Sequence, residues 1–199
     1  MQDDLLPTPK MTARTHDLVA FTALTTAAVF YPPASLNVGT LFVSVIACDV
    51  GSLIPDMDQS GNRLWDLLPG GNFIGKFGRR VFLGHRSLSH SILGTFLLYK
   101  LLFWLLPHLF NKFYIDSQIV LVSIMIGFVS HLISDGLTEE GIPLLFPLKL
   151  KFGFPPISSW RITTGSWFES LVIFPGLLTF LFFLIKNNQH QLIELFKKL

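Results

Sequence analysis

Histidine and aspartate recur in a few short stretches whose spacing could do chemistry. "HLISD" sets His131 and Asp135 four residues apart. On a helix they share one face, where they can hold the same metal ion or act as ligand and orienting partner. "GHRSLSH" carries His85 and His90 with Arg86 between them. Five residues is about 140° around a helix, so the two rings cannot both point inward from regular helix. His85 is therefore expected in a loop and His90 in the first turn of the helix that follows, with Ser87 or Ser89 as its N-cap. At such a terminus the helix dipole disfavours imidazolium and keeps the ring neutral for a metal, while open N–H groups and Arg86 offer an anion site. "PDMD" adds Asp56 and Asp58, "RTHD" adds His16 and Asp17, and "TTGSWFE" ends on Glu169. Each stretch also has a plain reading: an interfacial His as a surface or capping residue, "IPDMDQSG" as an ordinary turn, and His131 with Asp135 as a structural pair.

Taken jointly they point to a metal centre. The expected ligands are His16, Asp56, His85, His90, His131 and Asp135. Mixed imidazole and carboxylate donors suit Zn²⁺ or Mn²⁺ better than Mg²⁺ or Ca²⁺. Zinc is the expectation, as one ion or two. Such an ion lowers the pKa of its water to about 7 and offsets charge on the reacting group. Asp58 or Glu169, if not a ligand, could take the proton. Arg86, with Arg79, Arg80 or Arg161 nearby, fits a phosphate group.

The elements that must position these residues are apolar. Half of the 199 residues are hydrophobic, 20 are phenylalanine and only 14% are charged, with a mean hydropathy of +0.54. This is far greasier than a soluble domain and reads as a membrane protein. Five apolar runs stand out: Leu18 to Tyr31, Leu36 to Ile54, Ser91 to Phe110, Gln118 to Ile133 and Ser170 to Ile185. Each is near the roughly 17 to 25 residues that cross a bilayer as a helix, although the first and last are short. The fold expected is thus an all-α integral membrane protein of about five transmembrane helices with a polar metal site at their cytoplasmic ends. It forms one domain over 1–199, with an interfacial lead-in at 11–17, a basic cytoplasmic loop at 55–90, another cytoplasmic loop at 136–169 and an amphipathic tail at 186–199. The mixed charge and prolines ahead of the first run do not resemble a secretory signal. The single Cys48 rules out an intrachain disulfide.

Alternating five helices places Lys10, Arg14, Arg63, Lys76, Arg79, Arg80, Arg86, Lys149, Lys151 and Arg161 on one side, and Lys112, Lys186, Lys197 and Lys198 on the other. By the positive-inside rule the side with the N-terminus is cytoplasmic. The His and Asp clusters, whose positions did not enter that assignment, all fall on this side together with Glu139, Glu140 and Glu169. Only His108 and His190 fall on the other.

"MTARTHDL", "GSLIPDMD", "GHRSLSHSILG" and "GFVSHLISDGLTEEGIPLLFP" resemble, in this order, the successive motifs of the YdjM-like family of membrane-bound metal-dependent hydrolases. The likeness runs from about Met11 to Pro147 and extends toward Glu169. It implies an integral membrane protein with a metal-assisted hydrolytic site whose polar positions are His16, Asp56, Asp58, His85, His90, His131, Asp135 and Glu169. A weaker similarity links the His-x-x-x-Asp helix to zinc-dependent phospholipases C, as an analogy only. No H-E-x-x-H, G-x-S-x-G or P-loop pattern is present. The basic loop interleaved with Phe73, Phe77 and Phe82 looks like an anionic-lipid patch rather than a nucleic-acid groove, so no nucleic-acid partner is expected. The leading expectation is a cytoplasm-facing phosphoesterase for a membrane lipid or lipid-linked phosphate. The alternatives are a non-enzymatic membrane adaptor or regulator with a structural metal and, last, a metal transporter, for which Asp49 and Lys100 supply no ladder.

Overall fold

Local hydrogen bonding sets the ends of the helices into which the apolar runs fold. A computed structural model describes residues 13–34, 36–57, 62–66, 88–111, 113–148, 150–197 and 199. Among these, α1 spans Ala13–Phe30, α2 Val38–Leu53, α3 Arg63–Asp66, α4 Ile92–Leu109, α5 Ser117–Gly136, α6 Phe174–Asn187 and α7 Gln189–Phe196. A π-helical turn, Glu169–Ile173, leads into α6, and a 3-10 turn, Leu88–His90, precedes α4. Asn37 accepts from Thr40 N–H to cap α2, Ser91 from Gly94 N–H to cap α4, and Asp116 from Gln118 and Ile119 N–H to cap α5. These side chains satisfy donors that a helix start otherwise leaves open. The cap ahead of α4 is therefore Ser91 rather than Ser87 or Ser89. His90 sits in the 3-10 turn before the helix, not in the first turn of the helix itself.

α5 is the hub, with α1, α2 and α4 packed around it. Its approach to α2 relies on glycine: a methyl at Gly51 would strike the Ile124 carbonyl, and one at Gly127 would strike that of Cys48. Val120, Leu121 and Ile124 of α5 form the core with Ala47, Leu102 and Leu106. Phe128 and Leu132 continue it with Ile142 toward the C-terminal end of α5. The outer faces of α4 and α6 expose Phe96, Phe103, Trp104, Phe182 and Phe183, the surface that a bilayer covers.

Among the described residues three helices are long and apolar enough to cross a membrane, not five: Ile92–Leu109, Ser117–Gly136 and the continuous Glu169–Asn187. α2 has 16 residues, about 24 Å at 1.5 Å per residue against a hydrocarbon core of about 30 Å. α1 has 18, but its first turn is spent on Arg14, His16 and Asp17. The described residues of 137–168 form no strand; two isolated bridges, Thr138 with Ile162 and Ile142 with Phe152, pair this segment with itself, and Ile142 packs on Phe128 and Leu132 of α5. The C-terminal stretch is helical as α7, and Leu195 is buried.

Candidate metal centre

Four separate parts of the chain deliver imidazoles and carboxylates to one place. His16 comes from the first turn of α1, Asp56 from the turn after α2, His90 from the 3-10 turn before α4, and His131 and Asp135 from the last two turns of α5. Asp135 Oδ2 lies 3.2 Å from His90 Nε2 and 3.7 Å from His131 Nε2, while its Oδ1 lies 3.6 Å from His16 Nε2. Asp56 Oδ1 faces His90 Nε2 at 3.6 Å and His131 Nε2 at 3.9 Å. His90, His131 and Asp135 are 0%, 3% and 2% exposed, so these three are closed off from bulk solvent, whereas the Asp56 side chain keeps 27% exposure. Most of these separations are too long for hydrogen bonds. They match donors arranged around an ion, since two atoms each about 2.0 to 2.1 Å from a tetrahedral metal stand about 3.4 Å apart. Asp56 Oδ1 and His131 Nε2 are buried with no hydrogen-bond partner, an expensive arrangement unless something else fills their valence. The residues present therefore fit a divalent ion.

Surrounding side chains hold the donors in place. Ser89 Oγ lies 3.0 Å from His90 Nδ1; with that nitrogen donating its proton, Nε2 turns its lone pair toward the two aspartates. Gly94 lets the 3-10 turn rest on α4, because a methyl there would strike the Leu88 carbonyl. The turn bearing Asp56 is fastened by Asn62 Nδ2 donating to Leu53 O and by Trp65 Nε1 donating to Met57 O. Arg63 of α3 pairs with Asp17, next to His16, and reaches Asp49 of α2 at 3.9 Å. Hydrogen bonding to Asp17 raises the guanidinium pKa further.

Glu169 stands beside the cluster and is 1% exposed. Its carboxylate accepts from Thr15 Oγ1 at 2.6 Å and from Gly165 N–H at 2.8 Å. Gly165 holds φ at 72°, a left-handed conformation that glycine adopts without steric cost. Burial, and then the neighbouring His131, push the His16 pKa down to about 4 against the opposing pull of Asp135, Asp56 and Glu169. Burial likewise lowers that of His90. Both shifts favour the neutral ring, the form that binds metals.

Of the residues picked out in the sequence, His16, Asp56, His90, His131 and Asp135 meet in the cluster, and Glu169 flanks it. Asp58, His85 and Arg86, like Arg79 and Arg80, lie outside the described residues. Arg161 is not aimed at the centre: its guanidinium donates to the carbonyls of Pro155 and Pro156. Glu139 accepts from Thr163 at an exposed position. His108 bonds the Trp104 carbonyl at the opposite end of α4, about 24 Å along the axis from its start at 1.5 Å per residue. Sequence reasoning missed Thr15, Ser89 as partner of His90, and the Arg63, Asp17 and Asp49 clamp. A clamp spanning 46 positions leaves no local pattern to read.

A family model described as "YdjM inner membrane protein" matches residues 11–195. The chain belongs to the YdjM family. That makes it a membrane protein, in keeping with its apolar helices. It is 31% identical over 163 residues to "Uncharacterized protein YvsG" of Bacillus subtilis, covering 82% of this chain and 88% of that one. To "Inner membrane protein YdjM" of Escherichia coli it is 33% identical over 103 residues, 52% of this chain and 48% of that protein, and a protein of the same name from Shigella flexneri gives the same values. The alignment to the two YdjM proteins thus spans about half of their length. No solved structure matches.

Proposed function

We propose that this YdjM-family protein is a membrane-bound, metal-dependent hydrolase acting on the phosphoester of a phospholipid or another lipid-linked phosphate. The observation that carries the reading is the meeting of three histidines and two aspartates from four chain segments in one buried cluster at the end of apolar helices. Such groups are costly at membrane depth unless they bind or react. His16, Asp56, His90, His131 and Asp135 are the proposed ligands among the described residues, with His85 joining them. Zinc fits this donor set best, with manganese next. When bound, the ion supplies Lewis-acid polarisation of the phosphoryl group. Glu169, held by Thr15 and Gly165, is positioned to take a proton from water, with Asp58 as the other candidate base. Arg86 is the proposed phosphate clamp.

The cluster lies where α4 begins, α5 ends and the last long helix begins, so all three spans present the same end to it. The described loops on that side contain Arg63, Lys151 and Arg161, and by the positive-inside rule it faces the cytoplasm, with the N-terminus. Enzymatic turnover decides the reading. Purified protein, stripped of metal and reloaded with Zn²⁺ or Mn²⁺, is expected to hydrolyse one of a panel of lipid phosphoesters and to lose this activity with a chelator. The near-complete burial of His90 and Asp135 favours one rival, a non-enzymatic adaptor whose metal ties helix ends together. On that reading chelation lowers the melting temperature and no substrate turns over.

A further inference from the structure

The two imidazoles stacked on each other are unsuited to serving the same ion. His16 and His131 have ring centroids 4.2 Å apart and planes inclined by 17°. An imidazole nitrogen donates through a lone pair in the ring plane, so its metal sits close to that plane. Two planes so nearly parallel share no point within bonding reach of both nitrogens. His90 and His131 differ: their planes are inclined by 67° and therefore cross. Both of their Nε2 atoms also face the same two oxygens, Asp56 Oδ1 and Asp135 Oδ2. His16 faces the other oxygen of the same carboxylate, Asp135 Oδ1.

We infer that the cluster holds two ions, divided by ring orientation and bridged by Asp135. One is held by Asp56, His90, His131 and Asp135 Oδ2, the other by His16 and Asp135 Oδ1. This rests on the metal-dependent reading above and deepens it. Binuclear phosphoesterase and nuclease sites space their metals roughly 3.5 to 4 Å apart, close to the 4.2 Å between the stacked ring centroids. The sites are unequal. The first has four donors among the described residues, and the second has two, with Glu169 alongside. The second ion is the weaker one, with more positions left for water and substrate phosphate. A group of His16, His131 and Asp135 around a single ion satisfies distance but not the direction of the lone pairs.

The test is a Mn²⁺ titration of the full chain, purified in detergent and stripped with chelator, followed by elemental analysis and electron paramagnetic resonance. Two ions per chain are expected, the second at least tenfold weaker, with the spectrum changing from isolated Mn²⁺ at low loading to a spin-coupled pair at saturation. His16→Gln, which keeps a polar side chain, is expected to retain one ion and lose the coupling; His16→Ala should do the same. If neither variant folds, the wild-type count and spectrum decide alone. A single ion per chain at saturation, or a coupled pair persisting in a folded His16 variant, would overturn the inference. Two coupled ions without turnover of any lipid phosphoester would sink the hydrolase proposal and leave this one standing, whereas one ion with turnover would do the reverse.

Discussion

Ser89 does for His90 what a second carboxylate or carbonyl does in many metal sites: it takes up one ring nitrogen so that the other faces Asp56 and Asp135. Its neighbour Ser91 caps α4 instead, so two serines two residues apart have separate jobs that substitution can distinguish. Ser89→Ala is expected to leave the melting temperature of the metal-free protein nearly unchanged while weakening metal binding by about 10- to 100-fold, measured by competition with a chelating dye. Ser91→Ala is expected to cost about 1 kcal/mol of stability as a lost cap, with metal affinity nearly unaffected. Equal effects on both properties in both variants would refute that division. On the proposed reading, Glu169 belongs to the chemistry rather than to the ligand set. Glu169→Gln keeps size and can still accept from Gly165, so folding and metal content should persist while turnover falls by at least 100-fold. Wild-type turnover in this variant would remove Glu169 from the mechanism.

At the scale of elements, α5 carries the most weight because it supplies two donors and is packed on several sides. Serines 123, 130 and 134 donate back to carbonyls of the same helix, so they add polarity to the sequence without leaving donors stranded in an apolar interior. The glycine contact at Gly127 sets the distance between α5 and α2, and with it the distance between Asp135 and the turn bearing Asp56. Gly127→Ala puts a methyl against backbone, which cannot swing aside. It is expected to destabilise the protein by about 1 to 3 kcal/mol and to lower metal affinity, whereas Gly176→Ala, in a helix with open space around it, should do neither. Thermal melts and metal titrations on both variants check this. The Arg63 clamp is of a different order: its side chain is 53% exposed, and an ion pair so solvated contributes at most about 1 kcal/mol.

For the whole molecule, the ends of the long helices define which side each loop occupies. A reporter fused after Leu199 is expected outside the cytoplasm, and one inserted in the 63–80 loop within it. Finding both on one side would contradict the orientation, whatever the site does. Three long spans and five predict the same answer here, because α1 begins and α2 ends at the site's end of the fold, so this even pair leaves the side of the later helices unchanged whether or not it crosses.

The apolar runs were legible because hydropathy and length are local properties: the ends of α2, α4 and α5 fall within a few residues of those read from composition. Their caps were less so: the spacing pointed to Ser87 or Ser89 as the cap of α4, and the packing of the 3-10 turn against Gly94 puts Ser91 there instead. The number of membrane-crossing helices was overcounted for a related reason. A run of apolar residues looks the same whether it spans a bilayer or packs as a shorter helix against the spans. The sequence by itself determined that His16, Asp56, His90, His131 and Asp135 stand at helix ends on one side of an apolar bundle, because helical periodicity and alternation across a bilayer follow from chain order alone. Tertiary structure decided which atoms face one another: that His16 stacks on His131, that the two oxygens of Asp135 look in different directions, and that Arg161 turns away to its own loop. Those facts depend on rotamers and on packing between segments distant in sequence, and pairwise spacing carries no record of either.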